Sequence, residues 1–313
     1  MTKQQKIKKT EKKLRADGHG IDVTNLDKVF FPTSKITKED VIEYYRRIAP
    51  YMIPLIEKHP LSMERFPEGI NHEGFFQKNI PDYFPHWVHR CTIPTREGDT
   101  IEQVLVNDTA TLLYLASQAV LTFHAWLSTA HNLEKPDRMI FDLDPSGLAS
   151  FSQVRFTARK LYDVLTEHHL PSYCMTTGSR GVHVVVPLRA AHSFDSVRTC
   201  ASFIAQQLIK EYPRKMTLES SKEKRKNRIF IDILRNAYGA TAVAPYSIRA
   251  RERAPIATPI GWDELLEKRV KPQQYTIKNI FRRLGRISNP WEDFEQKATT
   301  LDHLIERMKV LGH

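Results

Sequence analysis

An α/β or α+β fold is predicted for this 313-residue chain, and three observations predict it. Short apolar runs with strand character, such as Val182 to Pro187 and Arg228 to Leu234, alternate with segments whose apolar residues recur at helical spacing. The two kinds are mixed along the chain, which favours helices layered on sheet. At 41% apolar and 27% charged residues, the chain has the composition of a globular protein and the length for a large core.

Residues 1–20 read as a basic, flexible N-terminal arm ending near Gly18-His19-Gly20, with residues 21–313 as one domain. Thr37-Lys38-Glu39-Asp40 is a helix start, followed by Val41, Ile42, Tyr44, Tyr45 and Ile48 on one face. Residues 60–105, rich in proline, glycine and aromatics, predict short strands and loops. From Asp108 to Ser128 the apolar residues Leu112, Leu113, Leu115, Ala116, Ala119 and Val120 predict one long buried helix, capped by Asn107-Asp108. A strand over Met139 to Pro145 comes next, then a helix from Phe151 to His168. Strands at Ser172 to Thr176 and Val182 to Pro187 precede a helix from Phe194 to Glu211. Arg228 to Leu234 is a further strand and Ala242 to Arg249 an extended piece. The C-terminal part predicts helices over 262–268, 274–284 and 291–311, and no internal repeat is present.

No apolar run approaches the roughly 18 residues that span a bilayer, and the lysine-rich N-terminus has no apolar stretch behind it. Cys91, Cys174 and Cys200 are odd in number and far apart, which suits neither a zinc pattern nor a disulfide framework. A cytoplasmic location is expected. The net charge of +11 points to a polyanionic partner. Lys3, Lys6, Lys8, Lys9, Lys12, Lys13 and Arg15 form one cluster; Arg214, Lys215, Lys222, Lys224, Arg225, Lys226 and Arg228 form another. Each alone reads equally well as a solvated tail or loop. Together they favour nucleic acid over a membrane surface, since neither is followed by an amphipathic apolar face.

Asp142 and Asp144 stand two apart on a strand and so share a face, with Phe141 and Leu143 packed behind them. Carboxylates that close repel each other unless a proton or cation lies between them, and hard oxygen donors suit Mg²⁺ or Mn²⁺. Asp232 lies in the apolar run Ile229 to Leu234, where an acid is costly to bury unless it is paired or metal-bound. A structural aspartate is the plain reading of Asp232 alone; beside the other pair, a two-metal site for phosphoryl or nucleotidyl transfer is favoured. Thr177-Gly178-Ser179-Arg180-Gly181-Val182-His183 offers close backbone approach, hydroxyls and a cation to a phosphate, although such a sequence is also a common tight turn. Arg249 and Arg251 suit a triphosphate, against ordinary edge-strand charge. His124, placed inside the long helix, reads as structural, and Phe75-Phe76 as core or as a base-stacking platform.

The order of these motifs resembles the archaeo-eukaryotic primase superfamily, and within it the polymerase domain of the bacterial multifunctional DNA ligase of non-homologous end joining. The resemblance runs from about Asn25 to Trp291. It implies a primase-polymerase fold with an RRM-like catalytic sheet flanked by helices, here in stand-alone form. It also implies a template-directed polymerase that prefers ribonucleotides, uses two Mn²⁺ or Mg²⁺ ions, and extends primers at gaps or double-strand breaks. DNA carrying a 5′-phosphate, NTP or dNTP, Ku and a separate ligase are the implied partners, at the nucleoid. By motif position, Asp142, Asp144 and Asp232 would hold metal. His124, Thr177, Ser179, Arg180, His183, Arg249 and Arg251 would hold the nucleotide. Asn25, Lys28, Lys38, Phe75 and Phe76 would meet DNA, the two lysines gripping the 5′-phosphate. Thr177 stands where many relatives have serine, Arg180 where many have lysine and Arg235 where glutamine is frequent; the basic arm lies outside the pattern. Two other readings stay open. Phe141-Asp142-Leu143-Asp144-Pro145-Ser146 also resembles the nucleophile motif of haloacid-dehalogenase phosphatases, with Asp142 attacking and Asp144 as acid/base. A non-catalytic DNA-end-binding module needs only the basic clusters.

Overall fold

The computed structural model describes residues 11–95, 98–267 and 270–312. The chain begins with hairpins β1 (Glu11–Ala16) and β2 (His19–Thr24), then β3 (Val29–Phe31) and β4 (Ile36–Thr37), before α1 (Lys38–Ile56). Strands β5 (Leu61–Arg65), β6 (Phe75–Gln77), β7 (Arg90–Pro94) and β8 (Thr100–Val104) lead to α2 (Thr109–Ser117) and β9 (Val120–Trp126). Next come β10 (Arg138–Pro145), α3 (Phe151–Glu167), β11 (Tyr173–Thr176), β12 (Val182–Pro187) and α4 (Phe194–Glu211). Strands β13 (Met216–Thr217), β14 (Ile229–Asp232), β15 (Thr241–Val243) and β16 (Thr258–Ile260) precede the short helices α5 (Trp262–Leu266) and α6 (Ile280–Leu284) and the last helix, α7 (Asp302–Val310).

Two larger sheets carry the molecule. One has the order β13-β14-β10-β12-β11-β16, with β10 paired on both sides; the other has the order β15-β9-β5-β8-β7, with β6 added to β5. Phe141 and Leu143 of β10, together with Val182, Val184, Ile229 and Ile231, pack against α3 and α4 through Val154, Ala158, Leu161, Val197 and Ile204. The opposite face of β10 turns toward the second sheet, where Ile140 joins the core of Phe123, Val243 and Ala244. Period-two alternation thus sends Met139, Phe141 and Leu143 of β10 to the helices, and Ile140 with the two acids to the side of the second sheet.

The predicted helix starts and strands around β10, β12 and α4 agree with the structure. Thr37 and Asp40 form a reciprocal cap at α1, the threonine side chain accepting from the Asp40 N–H and the Asp40 carboxylate from the Thr37 N–H. Four expectations are corrected. The single helix over 108–128 is instead α2, a reversal at Ala119 with φ of 62°, and β9. β9 is rich in β-branched and aromatic residues but buried on nearly every position, so no alternation distinguishes it from buried helix. Residues 11–20 are not a flexible arm: β1 and β2 pair in register, and Leu14, Ile21 and Val23 are buried. The rest of the proposed arm, with Lys3, Lys6, Lys8 and Lys9, lies outside the described residues. The extended piece over 242–249 breaks at Tyr246, whose φ is 63°, and the C-terminal helices are shorter than expected. Lys268, at the end of one of them, lies outside the described residues.

Candidate active site

Asp142 sits in the middle of β10 and is in register with Asp232 on β14 and His183 on β12. Side chains directly opposite one another on neighbouring strands face the same way, so the three converge. Asp144, two residues on, shares that face. His183 Nε2 is 3.4 Å from Asp142 Oδ1. Arg235 Nε lies 3.7 Å from Asp142 Oδ2 and 3.8 Å from Asp232 Oδ2. Asp142 and His183 are both buried, and Asp142 Oδ1 and His183 Nδ1 make no hydrogen bond.

Burial works against an ionised Asp142, yet the charges of His183, Arg235 and Arg249 outweigh it and hold its carboxyl below the usual range. Asp144 is pushed the other way, by burial and by repulsion from Asp142. Asp232 is also raised, chiefly by burial, although the Leu234 N–H donates to its Oδ1 at 2.8 Å. One acid of the face is therefore firmly charged while its two neighbours are reluctant to be. Such a face attracts a cation.

The loop between β11 and β12 closes over β10 by contacts that need glycine. A Cβ on Gly181 would stand 2.4 Å from the Leu143 carbonyl oxygen and 3.2 Å from Asp144 Oδ1. One on Gly178, whose φ is 64°, would stand 2.8 Å from Arg249 Cγ and 2.8 Å from the Ile256 carbonyl carbon. Thr177 turns its hydroxyl inward, donating to the Gly181 carbonyl at 3.2 Å and accepting from the Ser179 N–H at 3.4 Å, so it shapes the loop. Ser179 lines the cleft, whereas Arg180 is exposed and does not.

Arg249 reaches the same cleft from the turn after β15. That turn is held by α1: Tyr44 donates to the Tyr246 carbonyl at 2.5 Å, and the Tyr45 hydroxyl accepts from the Ile248 N–H at 3.1 Å. The Ser247 hydroxyl accepts from the Phe123 N–H at 2.7 Å, which fastens the turn to β9 beside His124. Arg251 is exposed and lies outside the cleft, though near enough for its charge to act on Arg249. The pair is split because the Arg251 N–H folds back onto the Arg249 carbonyl at 2.7 Å instead of continuing an extended segment.

A cleft of about 180 Å³ results, lined by His124, Asp142, Asp144, Thr177, Ser179, His183, Arg235 and Arg249 among others. His124 is on a strand and not inside a helix; burial lowers its pKa, and Glu64 Oε2 is 3.8 Å from its Nε2. Phe76 packs a tilted ring 5.3 Å from the His124 ring, yet is 60% exposed, and Phe75 is exposed as well. Neither is core. In the sequence Arg235 stood out only as a departure from the family pattern, with no role assigned, and Asn236 was not singled out. Beyond the end of β14, Asn236 takes over the pairing of β10, accepting from the Ile140 N–H at 2.8 Å and donating to the Ile140 carbonyl at 2.7 Å, and this sets Arg235 against the acids. Only the turn preference of Asn offered a signal in the sequence.

Lys28 and Lys38 are brought together, the charge of Lys28 acting on Lys38. Lys38 is buried, donates to the Thr24 carbonyl at 2.9 Å, and has its pKa lowered to about 8 by burial and by Lys28. Lys28 pairs with Glu68 at 2.7 Å, and its N–H closes a turn on the Asn25 carbonyl at 3.0 Å. In the second basic cluster, Arg225 is buried, stacks over Phe230 at 3.8 Å and donates to the Glu219 and Ser220 carbonyls. Arg214, Lys222, Lys224 and Lys226 are exposed.

The donor chemistry fits a divalent cation, since three carboxylates share one face and one buried carboxylate oxygen, Asp142 Oδ1, accepts no hydrogen bond. Among the described residues, no three acidic, imidazole or thiol groups already close around one point. No helix among the described residues is long and apolar enough to cross a membrane.

Residues 37–291 match the family described as LigD, primase-polymerase domain. The multifunctional non-homologous end joining protein LigD of Mycolicibacterium smegmatis is 32% identical over 286 residues, covering 91% of this chain and 37% of that protein. The bifunctional non-homologous end joining protein LigD of Bacillus subtilis is 30% identical over 275 residues, covering 88% of this chain and 44% of its own. The chain thus spans less than half the length of these relatives. Among solved structures, the polymerase domain from Mycobacterium tuberculosis ligase D in complex with DNA superposes with a TM-score of 0.82 at 28% identity, covering 88% of this chain and 98% of that one.

Proposed function

Because the chain belongs to the LigD primase-polymerase domain family, we propose that it is a DNA-repair nucleotidyltransferase that extends primer 3′ ends at gaps or double-strand breaks. The observation that carries this reading is the register of Asp142 with Asp232 and His183 on one sheet face, in a cleft shared with Arg249. Asp142, Asp144 and Asp232 would hold Mn²⁺ or Mg²⁺, two ions in the complete site. Bound there, the ions neutralise charge on the α-phosphate and favour the ionised form of the attacking hydroxyl.

The chain's own residues do the rest. Arg249, drawn into the cleft by its turn, meets the triphosphate with a planar fork, and burial of that arginine makes an anionic partner worth more than in water. His183 would donate to the same phosphates, and the backbone of the loop from Thr177 to Gly181 would approach them closely because two glycines allow it. Arg251, exposed beside Arg249, would meet the outer end of the triphosphate, with Arg180 as a surface cation on the loop. His124 would face the sugar and the exposed ring of Phe76 a base, with a ribose preferred. Lys28 and Lys38, next to Asn25, would grip a 5′-phosphate; at present Glu68 supplies the anion to Lys28. Rate enhancement then comes from positioning and charge neutralisation, with no protein general base required. Ku and a ligase activity are the expected partners at a break.

The phosphatase reading has no support from the geometry, since Asp142 is buried in mid-sheet between two strand neighbours. Primer extension on a gapped duplex with a 5′-phosphate, comparing ribo- and deoxynucleotides with Mn²⁺ or Mg²⁺, tests the proposal. Incorporation that is lost in Asp142→Asn while DNA binding persists is the expected result. DNA binding with no incorporation under any of these conditions would leave a non-catalytic end-binding module.

A further inference from the structure

Among the described residues, Arg235 is the cleft side chain that forms ion pairs with two of the three acids, and its position has a consequence for metal loading. Its Nε is 3.7 Å from Asp142 Oδ2 and 3.8 Å from Asp232 Oδ2. Both separations exceed the roughly 2.7–2.9 Å of a charge-assisted hydrogen bond, so attraction acts without a fixed bond. The Nε is buried and has no hydrogen-bond acceptor, while Nη1 reaches only the Thr241 carbonyl, at 3.5 Å. Yet the side chain as a whole is 42% exposed. Its backbone, by contrast, is set by Asn236, which is fully buried and bonded to both backbone groups of Ile140. The guanidinium is therefore tethered at its root and free to swing toward solvent at its tip.

From this we propose that Arg235 is a built-in counter-cation for Asp142 and Asp232, which competes with a divalent metal for the same carboxylate oxygens and so raises the metal concentration at which the site loads. The inference rests on the metal-binding reading of the three acids. A divalent ion arriving at these oxygens meets the positive guanidinium beside them, and the arginine has to withdraw for the ion to seat. The guanidinium cannot lose its charge to make way, so it has to move. Having moved, it stays within reach of an incoming triphosphate, but the competition needs no nucleotide.

Direct Mn²⁺ titration of the full chain, by calorimetry and by the electron-paramagnetic signal of free Mn²⁺, tests this without turnover. Arg235→Gln should bind Mn²⁺ about tenfold more tightly than the wild type, the size expected for releasing two partly exposed ion pairs. Arg235→Lys should stay near the wild type, and Asp142→Asn should lose the site. Without added metal, in a chelator, Arg235→Gln should also melt below the wild type, because the cation nearest to both Asp142 and Asp232 is then gone and their repulsion is offset less fully. Equal or weaker Mn²⁺ binding by a folded Arg235→Gln overturns the competition while leaving the metal site standing. If neither the folded wild type nor Arg235→Gln binds Mn²⁺, the metal reading itself fails and the proposal with it.

Discussion

Replacing Gly181 with alanine adds one methyl group at the point where the loop before β12 crosses the acid strand. The backbone of Gly181 is not in the left-handed region, so alanine brings no conformational strain and the effect comes from contact alone. The new Cβ would meet the Leu143 carbonyl oxygen at 2.4 Å. That oxygen belongs to β10, paired on both sides, and cannot rotate away. Restoring van der Waals contact needs the loop to lift by about 1 Å. Overpacking of this kind costs about 1–3 kcal/mol, which corresponds to a fall in Tm of about 2–5 °C for a domain of this size. The same lift carries Thr177, Ser179 and the start of β12 with His183 away from Asp142 and Asp144. A displacement of about 1 Å in a positioned site lowers turnover by about 100-fold. Single-nucleotide primer extension, giving kcat and KM, together with thermal melting, measures both effects. Unchanged Tm with unchanged kcat would show that the loop is not seated on β10 in the way described.

Phe76→Ala should leave Tm intact, because the ring is exposed, but should weaken binding of a template overhang by about 1–3 kcal/mol in fluorescence anisotropy if the ring stacks on a base; unchanged affinity would remove that role. Lys38 should lend its charge to 5′-phosphate binding only while protonated. Its pKa of about 8 rises when phosphate binds, so the affinity advantage of phosphorylated over unphosphorylated ends is complete at lower pH and should begin to fade above about pH 8, less so in Lys38→Arg. A pH-independent advantage up to pH 10 would point to other groups. Asp137 is held well below the usual carboxylate range: burial opposes its charge, but Arg138 and His59, each 2.8 Å away, outweigh it. A depressed folded-state pKa gives stability above the unfolded value near 4 and loses it as pH falls. Asp137→Asn should therefore melt below the wild type at neutral pH, and the two melting curves should converge as pH falls below about 4. A gap that persists in acid would assign the loss to packing.

The acid strand was legible because alternation on a strand with one apolar face sends two aspartates the same way, and the isoleucines of β14 marked Asp232 by the same rule. Their mutual register was not legible, since strand pairing between residues ninety apart leaves no local trace. β9 was misread for a related reason: a strand buried on both faces has no period, and His124 was placed on the wrong element. The first hairpin did leave a trace. Asp17-Gly18, with φ values of 45° and 80°, is a tight-turn pair followed by Ile21 and Val23 at strand spacing, and the crowd of lysines obscured it. The tyrosines of α1 showed only as a helical stripe. Their hydroxyls, which hold the turn carrying Arg249, have meaning only once residues two hundred apart are neighbours. Arg249 and Arg251 were read as a matched pair, and the fold-back after Arg249 separates them.

β10 has hydrogen-bonded neighbours on both sides and two helices behind it. Backbone groups in such a place exchange with solvent only when the whole structure opens. The amides from Ile140 to Leu143 should therefore be among the slowest to take up deuterium, and the acids they carry cannot loosen by local fraying. Heat inactivation of this protein should coincide with global unfolding and not precede it, and a preparation that remains folded should keep its acid cluster aligned.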